Sequence, residues 1–170
     1  MNRVLVIGGN GSGKTTFSRL LADKLDIPAV HLDKIFWYGT WQSRAKEEFD
    51  ALLQKELEKE NWIIDGNFTR TLPHRLSYCD TVFFFDLPRF VCLWGVTQRI
   101  FQNRGKTRKD MGGDCPERFD KQKWSLYRNI LTFNRQHRKD YYRLLAGADH
   151  ANVVVFRSRR QAEKFLKGLE

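Results

Sequence analysis

Residues 8–15 read Gly8-Gly9-Asn10-Gly11-Ser12-Gly13-Lys14-Thr15, with Thr16 next, and every other assignment in the chain depends on them. Just before them runs Val4-Leu5-Val6-Ile7, continuously apolar; just after, Phe17, Leu20, Leu21 and Leu25 recur at helical spacing. Strand, glycine-rich loop and helix form the context of a phosphate-binding P-loop, and G-x-x-x-x-G-K-[ST], the Walker A pattern, fits at Gly8, Gly13, Lys14 and Thr15. Glycines let the backbone N–H groups turn inward, and the helix N-terminus adds partial positive charge on the same side. Lys14 can reach the β- and γ-phosphates, and the Thr15 hydroxyl can bind Mg²⁺. A turn that merely joins two elements is the alternative, and a full match in the right context argues against it. Residues 8–16 therefore imply a bound nucleoside triphosphate, ATP, with Mg²⁺.

A chain of 170 residues suits one compact domain with a real core. With 41% hydrophobic and 14% aromatic residues, disorder is excluded. Met1-Asn2-Arg3 leads straight into the first strand, so no signal peptide or N-terminal myristoylation is expected, and Val82–Phe85 is too short to span a membrane. Cys79, Cys92 and Cys115 form no C-x-x-C pair and read as reduced thiols of a cytoplasmic protein. The net charge of +10 favours anionic partners, nucleotides or nucleic acid.

Strands are predicted at Ile27–Asp33, Trp62–Asp65, Thr81–Phe85 and Val153–Phe156, besides the first. Helices are predicted over Ser43–Lys59, Leu72–Tyr78, from Pro88 to about Asn103, and over Lys121–Leu145. Ser158-Arg159-Arg160-Gln161 fits a capping box before a last helix. Arg104–Asp120, polar and glycine-containing, predicts a mobile loop. The alternation predicts a parallel α/β sheet covered on both faces, in a single domain spanning 1–170, with ligands at the carboxyl ends of the strands.

Three of those ends are acidic: Asp33, Asp65 and Asp86. Phosphoryl transfer needs charge neutralisation and alignment more than covalent chemistry. Asp65 is the candidate Mg²⁺ acid, with a turn cap as the alternative. Asp33 would orient the acceptor hydroxyl or take its proton, with His31 beside it as a site or packing residue. Asp86 reads equally as a site acid or a strand-to-helix cap. Arg104 and Arg108 could clamp transferring phosphates, with Arg128, Arg135 or Arg138 completing the set. Arg70 and Arg75 could hold an anionic group of the acceptor. Phe36, Trp37, Tyr38, Trp41 and Phe68 could stack on a ring of the acceptor or form the core beneath it.

The motif order resembles adenylate kinase and its relatives among the P-loop kinases. More narrowly, His-Leu-Asp-Lys-Ile-Phe-Trp at 31–37, Trp-Ile-Ile-Asp-Gly-Asn-Phe at 62–68, Arg-Gly-Lys-Thr-Arg-Lys-Asp-Met-Gly at 104–112 and Cys-Pro-Glu at 115–117 are similar to the bacterial DNA topology modulation proteins. The resemblance implies a three-layer α/β/α P-loop NTPase fold. It implies a five-stranded parallel sheet of order 2-3-1-4-5, an acceptor region, and a short lid over about 104–120. It implies phosphate binding by Gly8 to Thr16, Asp65 as the magnesium-side acid, and Arg104 and Arg108 as lid arginines. Two departures stand out: Arg70 falls one place late after Asp65-Gly66, and His31-Leu32-Asp33 replaces the Thr-Gly acceptor signature. The latter is closer to kinases of small hydroxylated acceptors, such as shikimate or gluconate kinases.

The leading expectation is an ATP-dependent kinase, monomer or dimer, acting on a nucleotide, nucleoside or hydroxylated metabolite. The alternative is a nucleic-acid-associated nucleotide-binding protein affecting DNA topology, or a polynucleotide kinase. No helix-turn-helix, zinc-finger or RNA-binding signature accompanies it. A catalytically silent module is disfavoured by intact Lys14 and Thr15.

Overall fold

The computed structural model describes residues 1–117 and 121–169, and the side chains of 121–123 and 134–136 also lie outside that description. The last three positions of the predicted lid are among the residues not described. Strand β1 (Arg3–Gly8) leads through the glycine-rich loop into α1 (Lys14–Leu25). Then come β2 (Ala29–His31), α2 (Leu32–Phe36), a hairpin of β3 (Trp37–Tyr38) and β4 (Gln42–Ser43), and α3 (Lys46–Leu57). The middle of the chain holds β5 (Trp62–Asp65), a 3₁₀ turn at Thr69–Thr71, α4 (Leu72–Leu76), β6 (Thr81–Phe85) and α5 (Arg89–Gln102). It closes with α6 (Lys121–Gln136), α7 (Arg138–Ala146), β7 (Asn152–Phe156) and α8 (Arg159–Lys167).

The main sheet is parallel, in the order β2-β5-β1-β6-β7. Numbered among themselves, its strands run 2-3-1-4-5, as expected. Val4 to Ile7 are fully buried because β1 is central, with Val6 opposite Asp65 on one side and Phe83 on the other. Each face carries its own core. One gathers Phe17 and Leu21 of α1, Val96 and Ile100 of α5, and Leu166 of α8. The other gathers Phe49, Leu53 and Leu57 of α3 with Tyr141 and Leu145 of α7. Phe17 meets Phe83, Phe85 and Phe156 edge-on at 4.9, 5.3 and 5.4 Å, which anchors the helix that follows the glycine-rich loop.

Three expectations need correction. Strand β2 stops at His31, so Asp33 falls in the first turn of α2. The helix predicted over 121–145 is two helices separated at His137. The 104–117 segment is not an open loop: Arg104 bridges Glu117 and Thr107 bridges Pro116, while Met111 and Cys115 are buried. The Asp114 N–H donates to the Gly39 carbonyl at 2.9 Å, which ties the segment to the β3–β4 hairpin. The α8 cap forms, with the Gln161 N–H donating to Ser158 Oγ at 3.3 Å. The Gln161 side chain accepts from Arg157 N, one place before the cap residue.

Candidate functional site

Gly8 and Gly11 hold φ of +137° and +78°. A methyl group at Gly8 would meet the backbone of Phe85, and one at Gly11 the Cys92 carbonyl and Val96. The loop is thus pressed against the end of β6 and the face of α5, where only glycine fits. Lys14, 8% exposed, donates from Nζ to the carbonyls of Gly8 and Gly9 at 2.8 and 2.9 Å. Burial lowers its pKa, while the charges of Asp65 and Asp33 act in the opposite sense. The Gly8 N–H donates to Asn67 Oδ1 at 3.0 Å, fastening the loop to the turn after β5. The Ser12 hydroxyl is buried with no partner among the described residues.

Asp65 is buried at the end of β5, and its Oδ2 lies 3.1 Å from His31 Nδ1. Burial lowers the imidazole pKa, but the hydrogen bond and charge of Asp65 outweigh it and the net shift is upward. Asp33 is half-buried; burial pushes its carboxyl up, Arg108 pulls it down, and the Asp65 charge pushes it up again. Asp33, Asp65, Lys14, Thr15 and Arg108 line one cleft of about 880 Å³. Mg²⁺ takes one or two protein oxygens, completing its shell with phosphates and water. The Thr15 hydroxyl and the Asp65 carboxylate fit that donor set. No cluster of three His, Cys, Asp or Glu suited to an all-protein metal site occurs among the described residues.

Arg108 donates to Asp110 at 2.6 Å, and its Nε lies 3.1 Å from Glu117 Oε1. Arg99 Nε lies 3.2 Å from the same oxygen. Arg159 donates from Nη2 to the Gly11 carbonyl at 2.9 Å. All three arginines line the cleft. Sequence reasoning missed Arg99 and Arg159. For Arg99 the signal was the polar stripe Gly95, Gln98, Arg99, Gln102 on one side of an otherwise apolar helix. For Arg159 it was its place just beyond the carboxyl end of β7.

Other named residues lie elsewhere. Arg75 is fully buried and donates to the carbonyls of Gly66, Asn67 and Phe68 at 3.0, 2.6 and 3.2 Å; burial brings its pKa down to about 10. It shapes the turn after β5 rather than facing the cleft. Arg70 is exposed and paired with Asp50 through two bonds of 2.6 and 2.8 Å, outside the cleft lining. Arg104 is exposed and does not line the cleft either. Asp86 is held by Arg138 and by the Tyr142 hydroxyl, the latter at 2.7 Å, so it anchors α7 to β6. Arg128 is exposed on α6, and the Arg135 side chain lies outside the described residues. Phe36 and Phe68 pack at 5.0 Å, and Phe68 stacks on Phe49 at 5.0 Å, so both lean on the core, while Phe68 also lines the cleft.

No protein-family model and no curated protein sequence matches the chain, so the likeness to the topology modulation proteins gains nothing from these comparisons. Solved structures do match. Shikimate kinase from Bacteroides thetaiotaomicron is 19% identical, with 99% of this chain and 95% of that one covered at a TM-score of 0.58. Shikimate kinase from Aquifex aeolicus is 21% identical over 98% and 92%, at 0.54. Shikimate kinase from Acinetobacter baumannii, in complex with shikimate, is 15% identical over 99% and 93%, at 0.57. The chain shares their fold over nearly its whole length.

Proposed function

We propose that the chain is an ATP-dependent P-loop phosphotransferase that moves the γ-phosphoryl group of ATP to a hydroxyl of a small-molecule acceptor. The observation that carries this reading is the meeting of Lys14, Asp33 and Asp65 in one cleft bordered by the glycine-rich loop. Backbone N–H groups of residues 9–16 cradle the phosphates, the Gly8 N–H being held by Asn67, and Lys14 transfers its ammonium from the Gly8 and Gly9 carbonyls to the β- and γ-oxygens. Thr15 and Asp65 would hold Mg²⁺, and the ion would supply neutralisation of the phosphate charge. Arg108, at the cleft wall, steadies the transferring group, with Arg104 as a second lid arginine if the segment closes. Asp33 takes the acceptor proton; its raised pKa makes it the better base. The acceptor oxygen bonds to γ-phosphorus, the β–γ bridge bond breaks, and ADP departs with the electron pair. The solved neighbours named above support the kinase reading, and the buried free thiols of Cys79, Cys92 and Cys115 suit a reducing cytoplasm.

The test is calorimetric ATP titration with and without Mg²⁺, followed by ADP release over nucleosides, nucleotides and hydroxylated metabolites. Magnesium-dependent uptake with acceptor-stimulated ADP release is expected. No ATP uptake would end the proposal.

A further inference from the structure

A loop that turns its N–H groups toward an anion leaves its carbonyls needing donors of their own. Two cations supply them here. Lys14 holds the Gly8 and Gly9 carbonyls, and Arg159, 148 residues beyond Gly11, holds the Gly11 carbonyl at 2.9 Å through Nη2. Three elements meet at that second bond. Arg159 opens α8, Gly11 lies in the loop, and Gly95 of α5 sits so close that a methyl group there would strike both the Gly11 carbonyl and Arg159 Nη2. A residue without a side chain at 95 is what lets the arginine reach the loop.

The bond to Gly11 uses one of the five N–H groups of the guanidinium. It is the only side-chain hydrogen bond of Arg159 among the described residues, and Nε is buried without a partner. Glu163, one turn further along α8 and also in the cleft lining, makes no ion pair with it. The other cleft arginines are placed differently: Arg99 and Arg108 share Glu117, and Arg19 is exposed. Arg159 is thus a half-buried cation beside Gly11 to Thr16 whose charge no described carboxylate answers. Its helix is fixed from behind, with Ala162 and Leu166 buried and Phe165 reaching Phe17 of α1 at 6.4 Å. A guanidinium on so firm a base is already placed for a second acceptor, and its fork can serve two at once.

Resting on the kinase reading above, we propose that Arg159 makes the C-terminal helix part of the nucleotide site. The guanidinium that fixes the Gly11 carbonyl also binds an oxygen of the polyphosphate lodged in the loop, so nucleotide binding and the docking of α8 are coupled. The contact is to phosphate and not to the base.

The test uses the full chain at about 0.15 M salt, which screens exposed charges. Calorimetry compares ATP with inorganic triphosphate, each with Mg²⁺, on the wild type, Arg159→Met, Arg159→Lys and Arg160→Met. Arg160 is exposed and outside the cleft lining. Arg159→Met is expected to weaken both probes by at least about tenfold, or about 1.4 kcal/mol. Arg159→Lys keeps the charge without the fork and should recover part of that loss. Arg160→Met should change either affinity by less than about threefold. Hydrogen exchange of the α8 amides should slow on triphosphate binding in the wild type and not in Arg159→Met. Circular dichroism checks each fold, and if Arg159→Met does not fold, Arg159→Lys decides by whether both probes weaken together. Unchanged affinities in the folded variant overturn the inference and leave the arginine a structural brace. A loss confined to ATP overturns it by placing the guanidinium on the base, and an equal loss in Arg160→Met overturns it by showing general charge. In each of those outcomes the wild type still binds ATP and the kinase reading stands; a wild type that binds neither probe removes both.

Discussion

Nδ1 of His31 lies 3.1 Å from Oδ2 of Asp65, a cleft-lining carboxylate, and joins the ends of two neighbouring strands. The imidazole pKa is raised above its usual 6.5. A group with a raised folded pKa contributes stability that is complete below the unfolded value and fades as pH rises through the folded one. His31→Gln is therefore expected to lose more stability, relative to the wild type, below about pH 6.5 than at pH 8. Urea denaturation across that range measures the difference; a pH-independent gap would contradict the assignment.

Lys14→Ala is expected to lower acceptor-dependent ADP release by roughly 100-fold or more, by analogy with loss of one fixed electrostatic group at a reacting centre. Circular dichroism should show an intact fold. Turnover unchanged in this variant would exclude the role assigned to the ammonium.

Arg70 and Arg75 should behave very differently. Arg75→Met leaves three carbonyls without their buried donor, which is expected to cost about 3 kcal/mol and lower Tm by roughly 6–12 °C. Arg70→Ala breaks only an exposed pair with Asp50, worth about 0.2–1 kcal/mol. Equal Tm shifts would refute the distinction.

Asp86 is 4% exposed, and although burial raises its pKa, the hydrogen bonds from Arg138 and Tyr142 more than compensate and the net shift is downward. Its stabilising contribution is thus present above its usual 3.8 and lost as pH falls through the lowered value. Asp86→Asn is expected to cost about 1–3 kcal/mol near neutral pH, and a double-mutant cycle with Arg138→Gln should show positive coupling. Simple additivity would mean the pair contributes nothing.

Gly112→Ala puts a methyl group against the carbonyls of Lys34 and Trp37. It is expected to destabilise the chain by about 1–3 kcal/mol and to raise the acceptor KM, whereas Gly105→Ala, with open space around it but a φ of +72°, should cost only about 1 kcal/mol. Proteolysis within 104–117, faster in the Gly112 variant alone, would report the separation directly.

Much of the architecture was legible because its signals are local. The runs 62–65 and 81–85 are short, apolar and bounded by turn residues, and their limits were read correctly. The loop at 8–15 announces its partners by chemistry. The second strand was read too long because Asp33 looks like a strand end, yet it opens a helical turn. The β3–β4 hairpin has two residues per strand, too few for any period. Arg75 was read as facing an acceptor because it follows Asp65-Gly66. That three carbonyls of this turn point inward and need a donor is a property of the folded turn alone. With 30 Lys and Arg in the chain, abundance concealed Arg99 and Arg159, which only proximity to the cleft distinguishes.

The Asp114–Gly39 bond and the tight seat of Gly112 and Gly113 on residues 34–39 join two regions that adjoin the cleft from different parts of the chain. A swing of 104–117 would have to pull α2, and Asp33 with it, so nucleotide and acceptor would share a single shutter. Admission of one partner would then be mechanically linked to admission of the other, and a variant that loosens this seam should uncouple ATP hydrolysis from transfer.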